Sequence, residues 1–105
     1  MKRMVRLIDE KFDELNELCK RVGVRRLDAF GSVVRGDFDP QTSDLDFLVE
    51  FGDLPPVEYA QAWFSLKEAL EALFNRPVDL ITPNSLENPF FEQRVRSERR
   101  NLYAS

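Results

Sequence analysis

The segment Asp44-Leu45-Asp46-Phe47-Leu48-Val49-Glu50-Phe51 constrains the fold more than any other part of the sequence. Leu45, Phe47, Val49 and Phe51 alternate with Asp44, Asp46, Leu48 and Glu50, and a period of two marks a strand with one face against a core. Such a strand needs partners to pair with and helices to cover it. Val24 to Phe30 alternates and reads as a second strand. Pro77 to Thr82 is a short third one, with Val78 and Leu80 on one face and Asp79 and Ile81 on the other.

The covering helices have a different period. Val5, Ile8, Phe12, Leu15, Leu18 and Val22 step by three and four, which predicts one helix from Val5 to a C-cap at Gly23, with Asp9, Glu10, Asp13, Glu14 and Glu17 on its solvated face. Cys19 on this helix is expected to be a small core hydrophobe. After the linker Gly52 to Pro56, the stretch Val57 to Phe74 predicts a helix offering Ala60, Trp63, Phe64, Leu70, Leu73 and Phe74 to the core. Asn88 and Pro89 form an N-cap and first-turn pair for a final helix, expected to run through Phe90, Phe91, Val95 and Leu102 towards Tyr103. Gly31 to Gly36 is a glycine-bounded turn opening a short helix, and a polar loop containing Pro40 joins it to Ser43. The expected fold is therefore α/β (α+β), a small sheet covered by helices, whose strand order spacing does not reveal.

A chain of 105 residues with nine Phe, one Trp and two Tyr fits a single domain over residues 1–105 and supplies a core for it. No apolar run approaches the roughly 20 residues needed to cross a bilayer, and the N-terminus leads into a helix pattern unlike a signal peptide, so a cytoplasmic protein without membrane contact is expected. A formal charge of −4 argues against direct nucleic-acid binding. With no histidine and a single cysteine, imidazole bases and Cys/His zinc sites are excluded, and any metal must be held by oxygen. Carboxylates are abundant in the middle of the chain. Between Asp28 and Asp53 there are seven acids and one base, Arg35.

Asp44 and Asp46 are two apart on a strand, so both project from one face with Cα atoms about 6 to 7 Å apart and can share a cation. The bland alternative is a wet outer face. Leu48 on that same face points to cover at one end, and Asp79 interrupts an otherwise apolar strand. Gly31-Ser32 follows a strand and opens a helix, an arrangement that turns backbone N–H groups and a hydroxyl towards a phosphate. Together these residues predict phosphoryl or nucleotidyl transfer. Arg35 is read either as a phosphate partner or as an ion pair with Asp37 or Asp39. Arg94, Arg96, Arg99 and Arg100 make either a solvated helix face or a surface turned to the nucleotide or a partner.

The run Gly31-Ser32-Val33-Val34-Arg35-Gly36, then Ser43-Asp44-Leu45-Asp46-Phe47-Leu48-Val49, with Arg76-Pro77-Val78-Asp79-Leu80-Ile81 and a closing Leu102-Tyr103, resembles the DNA polymerase β-like nucleotidyltransferase superfamily. It is most similar to the minimal nucleotidyltransferases (MNT), the MntA-like antitoxins encoded beside HEPN-domain toxins. Val34 departs from the alanine that many relatives carry there. The resemblance implies a polymerase β-like fold and in-line attack on the α-phosphorus of ATP, with pyrophosphate leaving. It implies that Gly31 and Ser32 contact the triphosphate and that Asp44, Asp46 and Asp79 hold metal, Asp79 also serving as general base. It further implies two Mg²⁺ ions about 3.5 to 4 Å apart as cofactors. The expected function is AMP transfer to a hydroxyl, a tyrosine by preference, of a partner HEPN toxin. A binding-only antitoxin with a vestigial nucleotide site is the alternative; a small-molecule transferase is disfavoured by the lack of an acceptor domain.

Overall fold

The computed structural model describes residues 6–39 and 41–105. Its helices are α1 (Arg6–Glu10), α2 (Phe12–Val22), α3 (Ser32–Arg35), α4 (Pro56–Phe74) and α5 (Pro89–Glu98), and its strands are β1 (Val24–Phe30), β2 (Leu45–Phe51), β3 (Val78–Ile81) and β4 (Arg100–Ala104). The four strands make one sheet in the order β3-β2-β1-β4. β1 runs antiparallel to both β2 and β4, while β2 and β3 are parallel, so the sheet is mixed. The parallel step requires a crossover, and α4 provides it.

The two faces of the sheet are covered unequally. On one, Leu27, Ala29, Leu45, Phe47, Val49, Val78 and Leu80 meet Leu15, Leu18 and Cys19 of α2 and Leu66, Leu70 and Phe74 of α4. A fully buried side chain of this size contributes about 1.5 to 3 kcal/mol, so this layer dominates stability. Burial pushes the Cys19 thiol up to about 12, which keeps it unreactive, in line with a core role. On the other face, among the described residues, Phe30, Leu48, Leu86 and Val95 form a smaller buried cluster, with Ile81 and Phe91 against it. Leu48 is thus covered as expected, and polar residues flank the cluster. At one flank the Asp28 carboxylate is completely buried, held by Arg26 Nε at 3.1 Å and Asn101 Nδ2 at 3.0 Å, with Arg99 at 3.9 Å. This acid has its partners within the fold.

Several expectations change. The first helix is two helices, interrupted at Lys11 (φ −108°, ψ 13°), and Phe12, the first residue of the second, is exposed; Val5 lies outside the described residues, as does Pro40. In α4 the inward face is set by Leu66, Leu70 and Phe74. Ala60 and Phe64 point away from it, Phe64 being 60% exposed, and Trp63 is half-buried with its indole N–H donating to Leu80 O at 3.2 Å. The largest correction concerns the C-terminus. The final helix stops at Glu98, and Arg99 (φ −57°, ψ 140°) turns the chain into β4, which pairs with the open edge of β1 and buries Leu102 and Tyr103. Pairing that edge satisfies backbone groups that a longer helix would have left to solvent. Among the described residues no helix is long and apolar enough to cross a membrane.

Candidate active site

Asp44 sits immediately before β2 and Asp46 within it, and the amide of Leu45 between them donates to Pro77 O at 3.3 Å. That bond ties the start of β2 to the start of β3. In the resulting parallel register Asp46 lies directly beside Asp79, on strands about 4.8 Å apart. Two of the three predicted acids are therefore lateral neighbours, and the third is two residues away on the same side. Among the described residues none of the three carboxylates has a side-chain hydrogen-bond or ion-pair partner, and Asp44 and Asp79 are exposed. Asp46 is half-buried. Its carboxyl is pushed up to about 6, first by burial, then by the charges of Asp79 and Asp44, against a smaller opposing effect of Arg35 and Arg94.

The predicted phosphate turn arrives beside the same carboxylate. Phe30, the last residue of β1, is opposite Asp46 in the antiparallel register, so Gly31 follows directly onto it. Gly31 has φ 79° and ψ −148°, a region open in practice only to glycine. A Cβ placed on it would clash with Asp46 Oδ2 and lie 3.2 Å from Asp46 Cγ. The dihedral angle requires glycine here, and any side chain added would also have to displace the Asp46 carboxylate. α3 then begins at Ser32, whose amide and that of Val33 belong to a first turn without intrahelical acceptors. The loop before β2 is held in place as well. Asp39 accepts from Gln41 N at 2.9 Å, its own amide donates to Ser43 Oγ at 2.9 Å, and the Arg76 guanidinium stacks 5.0 Å above the Phe38 ring.

The two readings of Arg35 are decided in part. It pairs with Asp37 at 3.5 Å, not with Asp39, and more closely with Glu98 at 3.1 Å. Of the C-terminal arginines, Arg94 pairs with the same Glu98 at 3.5 Å and reaches the field of Asp46. Arg96 pairs with Glu92 within α5, and Arg99 faces Asp28. Glu98 is the residue sequence reasoning missed. It lies 67 positions from Gly31, in a charge run that reads locally as a solvated helix face, and no spacing signal connects the two.

Chemically the arrangement offers oxygen donors alone. Among the described residues no three acids converge into a ready-made metal cage, so a cation here would share its shell between these carboxylates and oxygens from water or substrate. The raised carboxyl of Asp46, crowded by two acids, is the observation that fits such an ion: a cation would relieve the repulsion that burial makes costly.

Residues 13–102 match the family model described as a nucleotidyltransferase domain. The protein adenylyltransferase MntA of Thermococcus cleftensis is 42% identical over 72 residues, covering 69% of each chain. A solved structure of a candidate minimal nucleotidyltransferase superposes with a TM-score of 0.68 at 33% identity, over 89% of this chain and 90% of that one. The complex of a tri-AMPylated Shewanella oneidensis HEPN toxin with its MNT antitoxin gives a TM-score of 0.61 at 20% identity, over 92% and 72% of the two chains, a likeness of fold.

Proposed function

This chain belongs to the nucleotidyltransferase domain family, and on that premise we propose that it is an antitoxin that transfers AMP from ATP to a hydroxyl, a tyrosine by preference, of a HEPN-type partner protein. The observation that carries the reading is the lateral register of Asp46 with Asp79, with Asp44 two residues away and the Gly31 backbone against Asp46. Two proteins support the rest: a relative is a protein adenylyltransferase, and a chain of like fold is seen with an AMPylated HEPN toxin.

In this reading Ser32 and the first-turn amides of α3 take the triphosphate, and Arg35 reaches the phosphates from the end of that helix. Gly31 contributes the close backbone approach, since its own N–H is already engaged by Glu98. Asp44, Asp46 and Asp79 would hold Mg²⁺, two ions in all. When bound, Mg²⁺ neutralises phosphate charge and stabilises the entering and leaving oxygens. Asp79, exposed at the edge of the group, accepts the proton of the acceptor hydroxyl. The acceptor oxygen forms its bond to the α-phosphorus as the bond to pyrophosphate breaks, and the acceptor leaves as its AMP ester.

Intact-mass spectrometry of the protein mixed with a HEPN-type partner, ATP and Mg²⁺ tests this. The partner is expected to gain the mass of AMP. Asp79→Asn should keep most nucleotide binding and lose transfer, whereas Asp44→Asn and Asp46→Asn should lose Mg-ATP binding itself. No mass gain on the partner, with its toxicity still suppressed, would overturn transfer in favour of a binding-only antitoxin.

A further inference from the structure

Glu98 closes α5, yet its carboxylate is turned inward, with only 15% of the side chain exposed. Oε1 accepts the Gly31 amide hydrogen at 3.1 Å, and the same carboxylate takes Arg35 Nη1 at 3.1 to 3.2 Å and Arg94 Nε at 3.5 Å. No other residue of α5 among those described touches the turn by a hydrogen bond. Three donors from three places therefore meet on one acid.

The Gly31 backbone is thus fixed from two directions. Its Cα hydrogen side lies against the Asp46 carboxylate, which a Cβ would have to displace, and its N–H is bound by Glu98. Glycine is the residue whose backbone loses most freedom on ordering, and this one adopts an uncommon dihedral region. An acceptor placed to receive its amide, charged or neutral, favours the one conformation that makes that bond. α5 itself is fixed to the sheet by Val95 in the cluster with Phe30 and Leu48. The result is a path from the second face of the sheet to the start of α3.

We infer that Glu98 is a positioning residue for the nucleotide site: through the Gly31 amide it sets the turn that presents Ser32 to the triphosphate, and it holds Arg35 and Arg94 alongside. The inference rests on the proposed nucleotide site. Glu98 does not itself contact substrate, so its loss should weaken nucleotide binding by disordering the turn, and an uncharged acceptor in the same place should restore it.

Calorimetric titration of Mg-ATP separates the possibilities. Glu98→Ala is expected to raise the dissociation constant at least tenfold, and Glu98→Gln, whose amide oxygen can still accept from Gly31, to bring it back within about threefold of the parent. Asn88→Ala removes the N-cap of the same helix, which accepts from Phe90 and Phe91, and should leave nucleotide affinity unchanged. If Glu98→Ala does not fold, Glu98→Met, which keeps volume and removes the acceptor, carries the same expectation. Unchanged affinity in Glu98→Ala, equal losses in the Ala and Gln variants, or an equal loss in Asn88→Ala would each overturn the inference. Asp46→Asn is titrated beside them. If it binds Mg-ATP as the parent does, the site itself has been misassigned, a failure distinct from that of Glu98.

Discussion

Asp46 is where this protein sets stability against function. Its carboxyl has an ordinary value near 3.8 and is raised to about 6 in the fold, by burial before the charges of Asp79 and Asp44. A folded state that holds a proton more tightly than the unfolded chain gains stability below about pH 4, and loses that gain as pH rises through 6. Asp46→Asn removes the titration. The variant should match the parent in thermal unfolding at pH 4 and exceed it at pH 7.5, in metal-free buffer, while losing Mg-ATP binding. Titrating groups that do not interact with Asp46 are common to both proteins and cancel in the difference, so what remains is the titration of Asp46 with its neighbours Asp44 and Asp79. Identical melting temperatures for the two at every pH from 4 to 8 would contradict the environment assigned to Asp46. The spacing of Asp44 and Asp46 was legible because a strand repeats every two residues, and Gly31-Ser32 because glycine punctuates a strand-to-helix turn. Asp79 stood out only as a charge in an apolar run. That it lies beside Asp46 depends on β3 adding parallel to β2, which no local pattern encodes. Glu98 was illegible for the same reason: its role begins with a contact to a residue far away in the chain.

At the level of elements, the C-terminal segment teaches most. Val95 and Leu102 are seven apart and read as two turns of one helix, yet they face different layers: Val95 belongs to the small cluster with Phe30, and Leu102 to the main core. A five-residue strand holds too few alternations to outweigh the helical period it follows, so pairing with β1 decides the outcome. The break at Lys11 escaped notice similarly, since α1 and α2 keep apolar steps of three and four across it. By contrast, the caps at Gly23 (φ 87°) and Asn88 were readable, because each satisfies orphan helix groups within its own neighbourhood. Leu102→Ala tests the strand assignment. Truncating a leucine buried in the main core should cost about 2 to 3 kcal/mol and lower the melting temperature by roughly 10 °C or more. Arg100→Gln, exposed on the same strand, should stay within about 0.5 kcal/mol. Equal effects of the two substitutions would mean that β4 does not seal the core.

Across the whole molecule, the unequal layers predict unequal local stability. The main core joins α2, α4 and all four strands, whereas α5 is held by a cluster of four buried residues and by Glu98. Segments with few buried contacts open without global unfolding, so amides of α5 should exchange with solvent sooner than those of β1 and β2. The candidate site draws on both layers, since Asp44, Asp46 and Asp79 come from the sheet while the turn at Gly31 leans on α5 through Glu98. A nucleotide that binds only the closed arrangement stabilises it by RT ln(1 + [L]/Kd), about 2.7 kcal/mol at a hundredfold excess over Kd, which slows exchange through that opening roughly 100-fold. Hydrogen-exchange mass spectrometry with and without saturating Mg-ATP measures both quantities. The expected pattern is early exchange across 89–98 in the free protein, and strong protection of 31–36 and 89–98 together on binding. Protection confined to 31–36, with 89–98 unmoved, would show that α5 opens independently of the nucleotide site, and that the link through Glu98 does not couple them.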